Sequence, residues 1–262
     1  MSVSIDTLIQ TLERIAPLQG AADWDNVGLL LRGTRPVRSV GLCIDLTPAV
    51  WAELSDHDAI IAYHPPIFRG IKRLDGSTPQ QNTLLEAIRK GTHIYAPHTA
   101  LDAAVDGMGA WLAAAIAPPS ALRSLRPIQP STVDPAVGIG RRAQLSSPIT
   151  LQDSLPRIKS WLGLSHVRVA GDLEAPRSSV AVCPGSGGSV LSGLHDVDVW
   201  ITGELGHHEV LAHVATGGAV VLTDHTNCER GFLPHYAARL RDLLPGVSIA
   251  CSTVDRDPLA VY

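Results

Sequence analysis

Short apolar runs alternate with segments of helical period along most of this chain, and no other feature constrains its fold as strongly. Residues 37–44, 58–63, 92–96, 179–183, 197–201 and 219–223 have the length and composition of strands, with further strands expected at 166–170 and 247–251. Between them, helical spacing predicts helices over 5–15, 80–90, 101–117, 151–162, 205–215 and 229–243, and Thr47 with Pro48 opens another. Helix ends carry recognisable stops and starts: Ser4 or Asp6 before the first helix, Pro17 after it, and Gly91 after 80–90. Alternation of this kind builds α/β sheets.

One stretch breaks the rhythm. Residues 118–135 contain Pro118, Pro119, Pro127, Pro130 and Pro135 without a clear period, so they read as a linker or irregular crossover. The expected division is an N-terminal α/β lobe over 1–125 and a C-terminal α/β lobe over 126–262, joined as one two-lobe unit. Each lobe carries one copy of the pattern His-Thr-x-x-acid at the end of an apolar run. His98-Thr99-Ala100-Leu101-Asp102 follows 92–96, and His225-Thr226-Asn227-Cys228-Glu229 follows 219–223. A third cluster, Tyr63-His64-Pro65-Pro66, closes the run at 58–63. Strand ends are where open α/β sheets place their ligands. Three nitrogen and oxygen clusters at three such ends point to one metal site assembled from distant parts of the chain.

Composition narrows the function classes. A hydrophobic fraction of 45% fills a sizeable core, and with only 4% aromatic residues that core is aliphatic. A net charge of −4 provides no basic field for nucleic acid as the main partner. The four cysteines, Cys43, Cys183, Cys228 and Cys251, make no CxxC pair and suit buried thiols in a reducing compartment. No apolar run approaches membrane-spanning length, and the N-terminal segment lacks the pattern of a secretory leader, so the expectation is a soluble cytoplasmic protein.

His225 and Glu229 are four apart, which on a helix puts them on one face. Imidazole with carboxylate suits zinc, iron, manganese or nickel. Thr226-x-x-Glu229 is equally a capping box, and Thr99-x-x-Asp102 is its acidic variant. For either motif alone both readings stand. Capping does not account for a histidine before each threonine, nor for His64 ahead of two stiffening prolines. The turn at Gly185, Ser186 and Gly187 is a candidate anion nest, and Arg69, with Lys72 and Arg73 on the loop after His64, a candidate phosphate contact. His207, His208 and His213 follow Glu204 on an expected helix and read as a solvated helix start or a site-lining face. No nucleophile elbow or Cys-His pair stands out.

The segments Asp23-Trp24-Asp25-Asn26-Val27-Gly28-Leu29, Tyr63 to Phe68, His98 to Asp102 and His225 to Leu233 resemble the NIF-three-like family, also labelled GTP cyclohydrolase I type 2. The resemblance runs from the first helix almost to the C-terminus. It implies two similar α/β lobes facing each other across a metal-binding cleft, a dinuclear metal site and a toroidal homohexamer. By position it implies His64, Asp102, His225 and Glu229 as metal ligands, with Glu229 and Asp102 as possible bridges. Many bacterial members have a histidine where this chain has Tyr63, which here resembles the eukaryotic-type members. One ligand is thereby missing, and Tyr63 or His98 stands as an extra or supporting group around one or two divalent ions. The expected activity is hydrolysis of a nucleotide or phosphorylated small molecule of unknown identity, through water activated by the metal. The alternative is a metal-stabilised adaptor or transcription-linked interaction protein without turnover.

Overall fold

The computed structural model describes residues 2–261. Met1, part of the segment read as lacking a leader, lies outside them. The chain opens with α1 (Ile5–Ile15), β1 (Gly28–Leu31), β2 (Ser39–Cys43), α2 (Pro48–Leu54), β3 (Ala59–Ala62), α3 (Pro79–Lys90), β4 (His93–Ala96) and α4 (His98–Ala103). It continues through α5 (Met108–Ala113), β5 (Leu122–Pro130), β6 (Gly138–Ile149), α6 (Leu151–Leu162), β7 (Arg168–Ala170), β8 (Arg177–Ser186) and α7 (Gly188–Leu191). β9 (Val199–Glu204), α8 (His207–Ala215), β10 (Ala219–Leu222), α9 (Leu233–Leu243) and β11 (Ser248–Cys251) complete it.

Two compact units result. The first holds Met1–Leu101 with Phe232–Arg256, and the second Asp102–Gly231 with Asp257–Tyr262. This corrects the expected boundary at 125/126. The chain changes units inside α4, and α9 with β11 returns to the first unit, a return that no composition shift announces. The Pro-rich stretch is not a linker either. It forms β5, which pairs antiparallel with β6 at the edge of the second sheet. An edge strand tolerates proline, because its unpaired side needs no amide donor.

The first unit's sheet has the order β1-β4-β3-β2-β11, parallel except for β1. β3 is buried along its whole length, as expected for a parallel strand covered on both faces. Burying a side chain such as Ile60 or Ile61 stabilises by about 1.5–3 kcal/mol. The second unit's sheet has the order β5-β6-β8-β9-β10-β7, with β8, β9 and β10 parallel. Helix starts follow the sequence signals. Ser4, Thr47, Thr78 and Thr150 each cap a helix by accepting a backbone N–H, and Gly91 and Gly163 end helices in the left-handed conformation.

The two units share one path. α1-β1-β2-α2-β3-α3-β4 in the first corresponds to α6-β7-β8-α7-β9-α8-β10 in the second. Sheet order matches as well, β1-β4-β3-β2 against β7-β10-β9-β8, with the first strand antiparallel in both. The correspondence reaches single residues. Asp58 Oδ2 accepts the amides of Arg38 and Ser39 while the Asp58 amide donates to Ser39 Oγ. Asp198 Oδ2 accepts the amides of Ser178 and Ser179 while the Asp198 amide donates to Ser179 Oγ.

Candidate metal centre

In this shared path His98 follows β4 and His225 follows β10, so the two His-Thr-x-x-acid copies occupy equivalent strand ends. Both exits are conformationally unusual. Among the described residues only His98, Ser124 and Asp224 are non-glycine residues with positive φ, and two of these are the exits themselves (φ 29° at His98, 67° at Asp224). Such backbone is held by its surroundings at a cost and is concentrated at functional sites.

In the first unit, His64 follows β3, and its Nδ1 donates to Asp45 Oδ1 at 2.9 Å. His98 Nδ1 donates to Asp25 Oδ1 at 2.8 Å. Asp25 is fully buried at its side chain and also accepts the Thr99 amide and hydroxyl on Oδ2. Burial alone would raise its pKa. The hydrogen bonds from His98 and Thr99 outweigh that and leave it below the usual carboxylate range. Tyr63 is buried and its ring lies 5.0 Å from that of His64 and 5.4 Å from that of His98, while the two imidazoles are 5.3 Å apart.

In the second unit, His225 Nδ1 donates to Glu204 Oε1 at 2.9 Å, and His225 Nε2 stands 4.0 Å from Glu229 Oε1. Glu229 is 1% exposed and Asp102 7%. Burial raises the pKa of the Cys183 thiol, and the charges of Asp102 and Glu229 raise it further, so both carboxylates act on one buried sulfur. Cys228 is structural. It accepts the Gly185 amide and donates to the His225 carbonyl, and its thiol is pushed up by burial.

Neither threonine caps a helix. Thr99 Oγ1 accepts the Ala22 amide and donates to Asp25. Thr226 Oγ1 donates to Asp257 Oδ2 and accepts from Arg230 Nη2, both at 2.8 Å. The expected helix over 229–243 begins at Leu233. Thr226–Cys228 and Arg230–Phe232 are short 3-10 turns instead. Pro234 explains this, since its ring would clash with the carbonyl four residues back in a continuous helix. Likewise 101–117 splits into the end of α4 and α5, with Gly107 as the N-cap of α5.

The glycine turn departs from the anion-nest reading. The Gly185 amide goes to Cys228 Sγ and the Gly187 amide to the Glu204 carbonyl, leaving Ser186 exposed, and α7 is only four residues long. A Cβ on Gly185, at φ 62°, would lie 3.0 Å from Glu229 Oε1 and 3.1 Å from His225 Nε2. Gly185 therefore lets the backbone pass against that pair. Arg69, Lys72 and Arg73 lie on the exposed loop after His64. Glu204 accepts from His225. His207 and His208 are exposed, and His213 is buried and stacked on Trp200.

Sequence reasoning missed Asp25, Asp45 and Glu204. Each is an acid in a turn or strand end, but the pairings span 73, 19 and 21 residues. No local period connects such partners.

A sequence profile of the Duf34/NIF3 (NGG1p interacting factor 3) family matches residues 3–258. Protein NIF3 homolog of Schizosaccharomyces pombe is 41% identical, covering 96% of each chain. NGG1-interacting factor 3 of Saccharomyces cerevisiae is 35% identical, covering 98% of this chain and 96% of its own. Among solved structures, a Staphylococcus aureus hypothetical protein superposes with TM-score 0.86 at 22% identity over 100% of both chains. Reduced HcgD of Methanocaldococcus jannaschii superposes with TM-score 0.81 at 20% identity over 96% of this chain and 98% of its own. The structural likenesses speak for the two-lobed α/β fold. The profile match and the yeast relatives show that this chain belongs to the Duf34/NIF3 family.

Proposed function

We propose that the protein is a metal-dependent hydrolase of a nucleotide or other phosphorylated small molecule, with His64, Asp102, His225 and Glu229 as ligands of one or two divalent transition-metal ions. The observation that carries this reading is a repeated pairing. His64, His98 and His225, each just past a strand, each give Nδ1 to a carboxylate at 2.8–2.9 Å. A carboxylate only accepts, so the ring proton sits on Nδ1 and the lone pair of the neutral ring on Nε2. Metal-binding histidines are commonly oriented in this way. The buried carboxylates Asp102 and Glu229 fit the same reading, because a divalent cation offsets negative charge held away from water.

Mixed nitrogen and oxygen donors suit zinc, iron, manganese or nickel. When bound, such an ion supplies Lewis acidity and brings the pKa of water toward neutrality. The chain's own part is orientation. Asp45 and Glu204 fix the His64 and His225 rings, Gly185 admits the His225–Glu229 pair, and Asp102 and Glu229 are the groups suited to bridge two ions. Tyr63 and His98 are supporting groups beside His64, and Arg69 is the proposed phosphate contact. A homohexamer is part of the proposal, as the family resemblance implies, and free cysteines suit a reducing compartment such as the cytoplasm. No helix among the described residues is long and apolar enough to cross a membrane.

The test is metal analysis of purified protein, followed by a hydrolysis screen of GTP and other phosphorylated compounds. We expect bound transition metal and turnover of at least one compound, both lost in Glu229→Ala. Folded protein that binds no added metal would remove the site. Equal turnover in both proteins would remove the mechanism.

A further inference from the structure

Among the tryptophans and phenylalanines only Trp24 and Phe68 are exposed, at 65% and 46%. They stand together, with ring centroids 6.1 Å apart and planes tilted by 58°. Both meet His98 edge-on, at 6.1 Å and 6.4 Å, and His98 in turn touches His64. All four residues belong to the first unit.

Their loops are fastened. Below Trp24, buried Asp25 binds His98 and Thr99. Asn26 Nδ2 donates to the Ile67 carbonyl, joining the Trp24 loop to the Phe68 loop, and Gln80 Nε2 holds the Pro66 carbonyl at 2.7 Å. A fold that pins these two rings at the surface has paid their ordering cost before any ligand arrives.

We propose that Trp24 and Phe68 form a stacking subsite for the planar heterocycle of the substrate, a nucleobase or a ring of that size. The inference rests on the nucleotide reading above and names the part of the substrate it recognises. Tilted rings suit one partner stacked on the indole with the phenyl at its edge. The exposed cations Arg69, Lys72 and Arg73 follow Phe68 on the same loop, which favours a ring carrying phosphate over a neutral one. A stable protein interface needs roughly 800 Å² per partner, far more than two rings supply, so a small ligand is the favoured occupant.

Calorimetric titration of the full-length protein, with its metal content measured, compares guanosine 5′-monophosphate, uridine 5′-monophosphate and ribose 5-phosphate. Both nucleotides should bind more tightly than the sugar phosphate. Trp24→Ala should weaken nucleotide binding by roughly fivefold or more, the scale of base–aromatic stacking. It should leave ribose 5-phosphate binding and metal content unchanged, and Trp24→Phe should restore most of the loss. Equal binding of the three probes, failure of either nucleotide to bind, or wild-type nucleotide binding by Trp24→Ala would each overturn the proposal. Altered oligomer mass in Trp24→Ala with unchanged nucleotide binding would assign the pair to a protein contact and overturn it too. Loss of metal in Glu229→Ala is read separately, so the metal reading fails or stands independently of the rings.

Discussion

At the scale of single residues, histidine shows how little a residue type fixes its role. His64, His98 and His225 each pair through Nδ1 with a carboxylate, whereas His213 is a core residue. Its ring stacks on Trp200 at 3.7 Å and 10°, and the Gly218 backbone is so close that a Cβ there would clash with Nε2. Burial lowers the His213 pKa below 6.5, and the Asp198 carbonyl offsets this only in part. The sign of the pH effect follows. Between the lowered folded value and the unfolded value near 6.5 the unfolded chain binds more protons, so stability falls as pH drops through that window. Thermal unfolding of the wild type should weaken from pH 7.5 to 5.5, and His213→Gln should lose part of that dependence. A variant with the full wild-type drop would show that His213 does not contribute. The sequence left this histidine between a solvated helix start and a site-lining face. Only the fold shows that it lies under an indole.

At the scale of elements, legibility followed periodicity and punctuation. α6 ends where its spacing puts it, and α3 stops at Gly91. β5 was hidden because its residues are mostly exposed or half-buried, leaving no alternating apolar pattern to read. The doubled path was legible only as two histidine motifs, since its strongest signature, the aspartate cradle, pairs residues about twenty apart. That cradle makes a prediction. Removing either carboxylate strands two amides, which costs about 1–3 kcal/mol. Asp58 also pairs with Arg35 at 2.9 Å, and with Arg35 partly exposed this adds at most about 1 kcal/mol. Denaturant midpoints should therefore fall in both Asp58→Ala and Asp198→Ala, and further in Asp58→Ala. A neutral Asp198→Ala would show that the shared cradle is not a stabilising device.

At the scale of the whole molecule, the proposed ligands are distributed over the chain in a way that the path explains. His64 and the donors Asp102, His225 and Glu229 fall in different compact units, yet all follow strands of the shared path. Sequence made the donor types legible because each stands beside an apolar run. It could not show the carboxylates behind them, which come from turns and a strand end elsewhere in the chain. An ion held by the proposed donors stabilises the folded chain that supplies them. At free metal one hundred times the dissociation constant, linkage gives about 2.7 kcal/mol. In a chain of this size that is a rise in Tm of roughly 5–10 °C. Calorimetry with chelator and then with excess zinc should show this rise in the wild type. His64→Ala and Glu229→Ala, which lie in different units, should each lose most of it. Retention of the full rise in His64→Ala would mean that the second unit holds the ion alone, and would remove His64 from the ligand set.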